Sequence, residues 1–242
     1  MSVGGFGNGS NSVVTDGLVY YYDGYNTKSH IGSATTVFDL TKNNNTGSFS
    51  GPGDTGTTYN DDSFTFDGIG GFYGTPSSPS LNSFTTGLTV NIFTKVNDNP
   101  SANGQNYDGI IVKTSSDAWN DGFGFYIDAA SGEFRFFVND YELYEAGEVV
   151  GTNPIPLTNY CGVYDGSNVL LYKDGDLLVT GDALTANVIN GGLQMNVGCG
   201  NTGSGSPRYY SSSTTYIIMI YDRGLNAEEA KQNYNALKYR FR

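Results

Sequence analysis

The chain has 242 residues, 38% of them hydrophobic and 15% charged, with a net charge of −12. That length suits one β-sandwich with long loops or two small domains, buries a core without disulfide or metal staples, and with this apolar content excludes wholesale disorder. The acidic balance argues against nucleic-acid and anionic-membrane partners, and no run is long and apolar enough to cross a bilayer.

Residues 1–12 form a Gly/Ser/Asn-rich segment with one aromatic, Phe6, which predicts a flexible arm ahead of a single domain at 13–242. The arm has neither a basic n-region nor an apolar h-region, so the expectation is cytosolic synthesis without a signal peptide. Strand signals then follow at 17–23, 63–67, 88–96, 109–113 and 122–128. More follow at 133–138, 160–165, 168–173, 176–180, 193–198 and 215–221. The 34 glycines and 19 tyrosines suit such strands and the turns between them. Asp174-Gly175 between two apolar runs predicts a type I′ hairpin, and 165–168 and 129–132 carry similar turn chemistry.

Cys161 and Cys199 lie in apolar strand-like segments with no CxxC and no histidine nearby, which predicts free, buried thiols. One helix is expected, over 226–239. Asn226 serves as its N-cap, Glu229 completes a capping box, and Ala230, Tyr234, Leu237 and Phe241 form its apolar stripe. Many short strands, no βαβ alternation and one closing helix predict an all-β antiparallel jelly-roll sandwich of two curved sheets.

Several landmarks occur in a telling order: Gly17-Leu-Val-Tyr-Tyr-Tyr-Asp, Phe38-Asp-Leu-Thr-Lys-Asn-Asn-Asn-Thr-Gly, Phe64-Thr-Phe-Asp-Gly and Gly122-Phe-Gly-Phe-Tyr-Ile. Gly162-Val-Tyr-Asp-Gly-Ser-Asn, Leu171-Tyr-Lys-Asp-Gly and Ile220-Tyr-Asp-Arg-Gly-Leu-Asn-Ala-Glu-Glu complete it. Over roughly 15–240, this order resembles the laminin-G-like, pentraxin-like branch of the concanavalin A-like lectin/glucanase superfamily. The resemblance implies a non-catalytic structural or binding module, most like a virion component of a tailed bacteriophage. Its expected partners are other capsid or tail proteins and host surface glycans, with localisation in the virion. It also implies a calcium position after Phe-Asp-Gly, where glycines stand in this chain and Asp67 is the remaining candidate.

Three long polar stretches, 97–108, 114–121 and 201–213, are expected at the rims of the sheets, where binding sits. Glycan recognition needs an aromatic platform beside amides and carboxylates. Trp119 with Asp117, Asn120 and Asp121 fits that description, and Arg208, Tyr209 and Tyr210 form a second candidate. Asp117 and Asp121 also supply oxygens for Ca2+. Weak single-site glycan affinity favours an oligomer through avidity.

Enzymatic activity is not expected. A retaining glycosidase on this fold presents alternating acids from one strand, and none is found here. Glu142 and Glu145 have odd spacing, which predicts solvated loop or edge carboxylates. His30, the only histidine, has no nucleophile elbow for company. The alternatives are a glycan-active hydrolase or lyase, or a lectin outside any virion.

Overall fold

A computed structural model describes residues 12–29, 35–49, 56–98, 104–116, 118–151, 154–201 and 206–241. The strands in chain order are β1 (Leu18–Asp23), β2 (Thr36–Val37), β3 (Gly47–Phe49), β4 (Thr57–Tyr59), β5 (Phe64–Asp67) and β6 (Tyr73–Thr75). They continue with β7 (Leu88–Val96), β8 (Tyr107–Lys113), β9 (Phe123–Asp128), β10 (Glu133–Val138), β11 (Glu145–Val149) and β12 (Ile155–Tyr164). The last are β13 (Asn168–Lys173), β14 (Asp176–Ala183), β15 (Met195–Val197), β16 (Gly200–Asn201), β17 (Pro207–Arg208) and β18 (Ser212–Tyr221), before helix α1 (Ala227–Leu237).

Two eight-stranded antiparallel sheets carry the fold, as expected. The first runs β14-β13-β12-β7-β18-β5-β4, with β1 also paired to β18; the second runs β11-β10-β9-β8-β15-β6-β3-β2. Period-two alternation sends one set of side chains from each sheet into a shared core. Val90, Ile92, Tyr160, Tyr164, Ile218 and Ile220 come from the first sheet; Phe125, Ile127, Phe134, Phe136 and Val197 come from the second. Gly162 is the close-approach point, since a Cβ there would lie 2.2 Å from the Phe136 ring of the facing sheet.

The outer face of the first sheet is also apolar, and α1 covers it. Phe93, Ile217, Met219 and Tyr221 pack there with Leu225, Leu237 and Val14. The capping box forms as the sequence predicts, with Asn226 and Glu229 bonding each other's side chain and backbone N–H. Glu229 also grips Arg223 in a two-pronged pair at 2.7 and 2.9 Å, and this bond holds its carboxyl below the usual range. The regular helix is shorter than expected, because Lys238–Phe241 tightens into a 3-10 turn. In the expected apolar stripe Ala230 and Leu237 are buried and Tyr234 is half-buried, while the Phe241 side chain lies outside the described residues. Asn233 is buried on the same face because its amide is used: Oδ1 accepts from Val14 N and Nδ2 donates to Tyr221 Oη.

The hairpin at 173–176 has Asp174 and Gly175 both at positive φ, +51° and +79°, as a type I′ turn requires. Both cysteines are free and buried. The basic residues along the helix and its 3-10 turn have structural partners: Lys231 pairs with Asp176, Lys238 bonds Asn235, and Arg240 pairs with the buried Asp23. Arg242, His30 and the arm's Phe6 lie outside the described residues.

A buried, unpartnered carboxyl interrupts the apolar pattern of the core. Asp108 on β8 pairs in register with Ile127 and is fully buried, with neither carboxylate oxygen hydrogen-bonded. Burial, and then the nearby Asp98, push its carboxyl up to about 8. A carboxyl whose folded value is raised contributes stability that is complete below its unfolded value and lost as pH rises through the folded one. Unfolding free energy should therefore fall between about pH 4 and about pH 8, and Asp108→Asn should flatten that slope in denaturant titrations; an unaltered slope would place the titration elsewhere. Asn226→Ala should cost about 1 kcal/mol in the same assay, and a variant as stable as the parent would show the cap to be dispensable.

Candidate functional site

The outer face of the second sheet is the most elaborated surface among the described residues. Strand alternation places Tyr107 of β8, Gly124 and Tyr126 of β9, Arg135 and Phe137 of β10, and Glu145 and Gly147 of β11 on that face. Tyr107, Trp119, Tyr126, Phe137, Tyr141 and Tyr209 pack there as one aromatic cluster around Val112. Its floor is buried, whereas Tyr107, Tyr141 and Tyr209 are each half-exposed.

Three glycines make this packing feasible. A Cβ at Gly200 would lie 2.3 Å from the Trp119 indole, one at Gly124 would lie 2.8 Å from Phe137, and one at Gly147 would lie 2.9 Å from Arg135 Cγ. The indole therefore enters a slot over β16 and stacks on Phe137, with planes 1° apart and centroids 5.8 Å apart. Trp119 and Tyr209 both hold left-handed backbone, φ +44° and +57°. That conformation costs roughly 1–2 kcal/mol for a non-glycine residue. Their rings meet edge to face at 5.4 Å, so two strained loop positions converge on one contact.

Beside the rings lies a polar array. Arg135 donates from Nη1 to Glu145 at 2.6 Å and from Nε to Glu133 at 2.9 Å, and sits 3.8 Å from Asp128. Tyr126 Oη donates to the second Glu145 oxygen at 2.8 Å. Burial, then the Glu145 carboxylate, push the Tyr126 phenol far up. Burial also raises the Glu145 carboxyl, against the opposing pull of Tyr126 and Arg135. The Arg135 guanidinium is held up by the Glu133 bond, although burial opposes it. These groups form fixed planar donors and acceptors next to half-exposed aromatic edges.

The sequence candidates distribute unevenly over this surface. Trp119, expected as an exposed platform, is instead 2% exposed and forms the floor, with Nε1 donating to Asn201 O. Tyr209 joins it, and exposed Arg208 places its guanidinium 4.6 Å above the Tyr209 ring. Tyr210 turns away: its ring packs near Phe72, and its backbone is clasped by Gln105. Asn120 is exposed and accepts from Ser116. Asp121 is buried and accepts from the Ser115 amide at 2.8 Å and from the Ser115 hydroxyl. Asp117 lies outside the described residues.

The donor set expected for Ca2+ does not fit. Asp67 Oδ1 accepts from the amides of Ile69, Gly70 and Gly71 at 2.8, 3.1 and 3.4 Å, as a turn former. It ends β5 in the first sheet, whereas Asp121 lies in the loop before β9 with both oxygens on Ser115, and among the described residues no three His, Cys, Asp or Glu side chains converge. Glu145 corrects the expectation of a solvated carboxylate, because β11 carries it into the Arg135 and Tyr126 array. Tyr107, Tyr141, Arg135 and Glu133 escaped sequence reasoning. The alternation of β10, with Glu133 and Arg135 both facing away from Phe134 and Phe136, was the signal for the last two.

No family model matches the sequence, and no curated protein matches it. Solved structures share the fold at low identity. Trypanosoma rangeli sialidase in complex with sialic acid superposes with a TM-score of 0.65 at 14% identity, over 94% of this chain and 34% of the sialidase. A covalent-intermediate complex of the same enzyme gives 0.66 at 15%. A botulinum neurotoxin type C structure, from work on cell entry through two ganglioside molecules, gives 0.61 at 11%, over 91% of this chain and 51% of the toxin chain. The chain thus spans about a third of the sialidase and about half of the toxin chain.

These neighbours share the fold and support a jelly-roll β-sandwich. They do not support the laminin-G-like branch or a place in a phage virion. They also correct the expectation that the chain is not an enzyme, since sialidases are enzymes. The lack of alternating acids excludes only one glycosidase geometry, and sialidases use a tyrosine nucleophile instead.

Trp119 is the single tryptophan of the chain. Gly200→Ala should push the indole from its slot, change the intrinsic emission and cost about 1–3 kcal/mol; unchanged emission with an unchanged unfolding midpoint would refute the slot.

Proposed function

We propose that this domain recognises carbohydrate through the outer face of its second sheet, either as the glycan-holding part of a glycan-active protein or as a lectin for surface glycans. The observation that carries the reading is the ring of half-exposed Tyr107, Tyr141 and Tyr209 edged by the Arg135, Glu133 and Glu145 array and by exposed Arg208. Tyrosine offers an apolar ring for the C–H face of a sugar and a hydroxyl for its oxygens. Planar carboxylate and guanidinium groups, already held by one another, bind hydroxyls without first being ordered. The strain at Trp119 and Tyr209 is what a preorganised binding surface stores.

The neighbours lend support in kind. One is a sialidase captured with sialic acid, and another is a toxin described as entering cells through gangliosides. A chain with net charge −12 suits an uncharged or sparsely charged glycan chain better than a heavily sulfated one.

Glycan-array screening followed by calorimetry on the best binder tests the reading. Tyr209→Ala and Tyr107→Ala should each weaken binding about tenfold, near 1.4 kcal/mol, with the fold retained. An array without binders, or affinities that ignore both substitutions, would refute it.

A further inference from the structure

A second site stands on the opposite side of the molecule, between α1 and the outer face of the first sheet. A cavity of about 160 Å³ is lined there by Phe93, Leu157, Asn159, Asp174, Tyr234 and Lys238. The Phe93 and Tyr234 rings lie nearly parallel, 10° apart in plane and 6.4 Å between centroids. Lys238 Nζ rests 5.1 Å from the Tyr234 ring centre and bonds Asn235 at 2.6 Å. Asp174 accepts the Asn159 backbone N–H through Oδ1 at 3.1 Å.

An anomaly lies at and behind the cavity wall that Asn159 forms. Asn91 and Asn159 sit on neighbouring strands under the helix, 0% and 1% exposed, in otherwise apolar surroundings. Asn159 Nδ2 donates to Asn91 Oδ1 and to Ile92 O. That leaves Asn159 Oδ1 and Asn91 Nδ2 buried without a partner. An orphaned buried polar atom is destabilising, and native proteins keep such atoms where something else satisfies them. Two further cavities are lined by described residues, one around Asp23 and Arg240, the other around Asp16 and Lys42. Neither has a buried, unpartnered side-chain atom in its wall. Here the volume far exceeds the roughly 30 Å³ share of one water, so a single bridging water does not account for the space.

We infer that this cavity is a binding site for a small neutral polyol of pyranose size, separate from the aromatic face of the second sheet. A hydroxyl donates as well as accepts, so it can serve the orphan Oδ1 acceptor of Asn159, the member of the amide pair that lines the cavity. Tyr234 and Phe93 supply flat apolar walls for a sugar's C–H face, Asp174 accepts from ring hydroxyls, and Lys238 donates to ring oxygens. A strongly anionic ligand is disfavoured by Asp174, and a purely apolar one would leave Asn159 Oδ1 unpaired. The site does not depend on the proposed function of the other sheet.

Nuclear magnetic resonance titration of the whole chain with methyl glucopyranoside, methyl galactopyranoside and N-acetylglucosamine tests it. At least one sugar should produce saturable shifts at the Asn159 side-chain amide and at Asp174. Tyr234→Ala and Lys238→Ala should each weaken those shifts about tenfold, while Tyr209→Ala leaves them unchanged. Lys238→Ala removes a surface group, so it carries the test if Tyr234→Ala perturbs the fold. Failure of all three sugars to give saturable shifts there would overturn the site, as would shifts that survive both cavity substitutions. Shifts lost only in Tyr209→Ala would assign the sugar to the second sheet, overturning this site while sparing the proposed function.

Discussion

The antiparallel pairing of β18 is the constraint on which the remaining structure rests. One edge of this strand bonds β7 from Ser213 to Tyr221. Its other edge is divided, with β5 on Ser212–Thr215 and β1 on Ile217–Tyr221. A register shift between Thr215 and Ile217 separates the two halves. Because β18 is central, both its faces must be buried: Ile218 and Ile220 enter the core, and Ile217, Met219 and Tyr221 need a second cover. The capped helix that follows supplies that cover, and the Arg223–Glu229 pair sets the angle at which it returns. Without the helix, the first sheet would expose an apolar outer face, which soluble monomers rarely do.

That asymmetry determines what each sheet can offer a ligand. The first sheet spends its outer face on the helix and leaves only a small cleft with an incompletely bonded amide pair. Among the described residues the second sheet has no such cover, and its outer alternation carries tyrosines, carboxylates and arginine. Close packing there is made by glycines on three different elements: Gly124 and Gly200 make room for the Phe137 and Trp119 rings, and Gly147 for the Arg135 stem. Rigidity comes from those slots together with the left-handed loops at Trp119 and Tyr209. A surface held this way loses little entropy on binding.

The long strands and the helix were legible because their signals are local. Ser63–Asp67 alternates, Asp174-Gly175 has only one comfortable hairpin geometry, and Asn226 with Glu229 completes a cap within one turn. The short strands β2, β3, β4 and β6 were not legible. Two or three residues such as Gly47-Ser48-Phe49 have no period of their own and become strands only when a neighbour supplies the register. β11 escaped for a similar reason, since Glu145-Ala-Gly-Glu-Val has little strand preference and is held by β10. At the site, the exposed tryptophan inferred from a polar loop was mistaken because its slot is made by Gly200, distant in sequence. Tyr107 was concealed in a stretch read as loop up to Asp108. Such tertiary complementarity leaves no trace in any single window of residues.

The pairing of β1 with β18 has a mechanical side. Leu18 faces Tyr221, and Asp23 faces Ile217, so the entry to one strand and the exit of the other lie together at one end of the ladder. Tension drawn through the two ends of the chain would therefore open this ladder rung by rung, like a zipper, rather than load its bonds in parallel. The C-terminal segment crosses back to clasp Asp23 through Arg240 at the far end of β1. A pull on that terminus must first undo this clasp and lift the helix from its sheet. The domain should yield in stages under force, with its helical flap released before the aromatic face of the second sheet is disturbed.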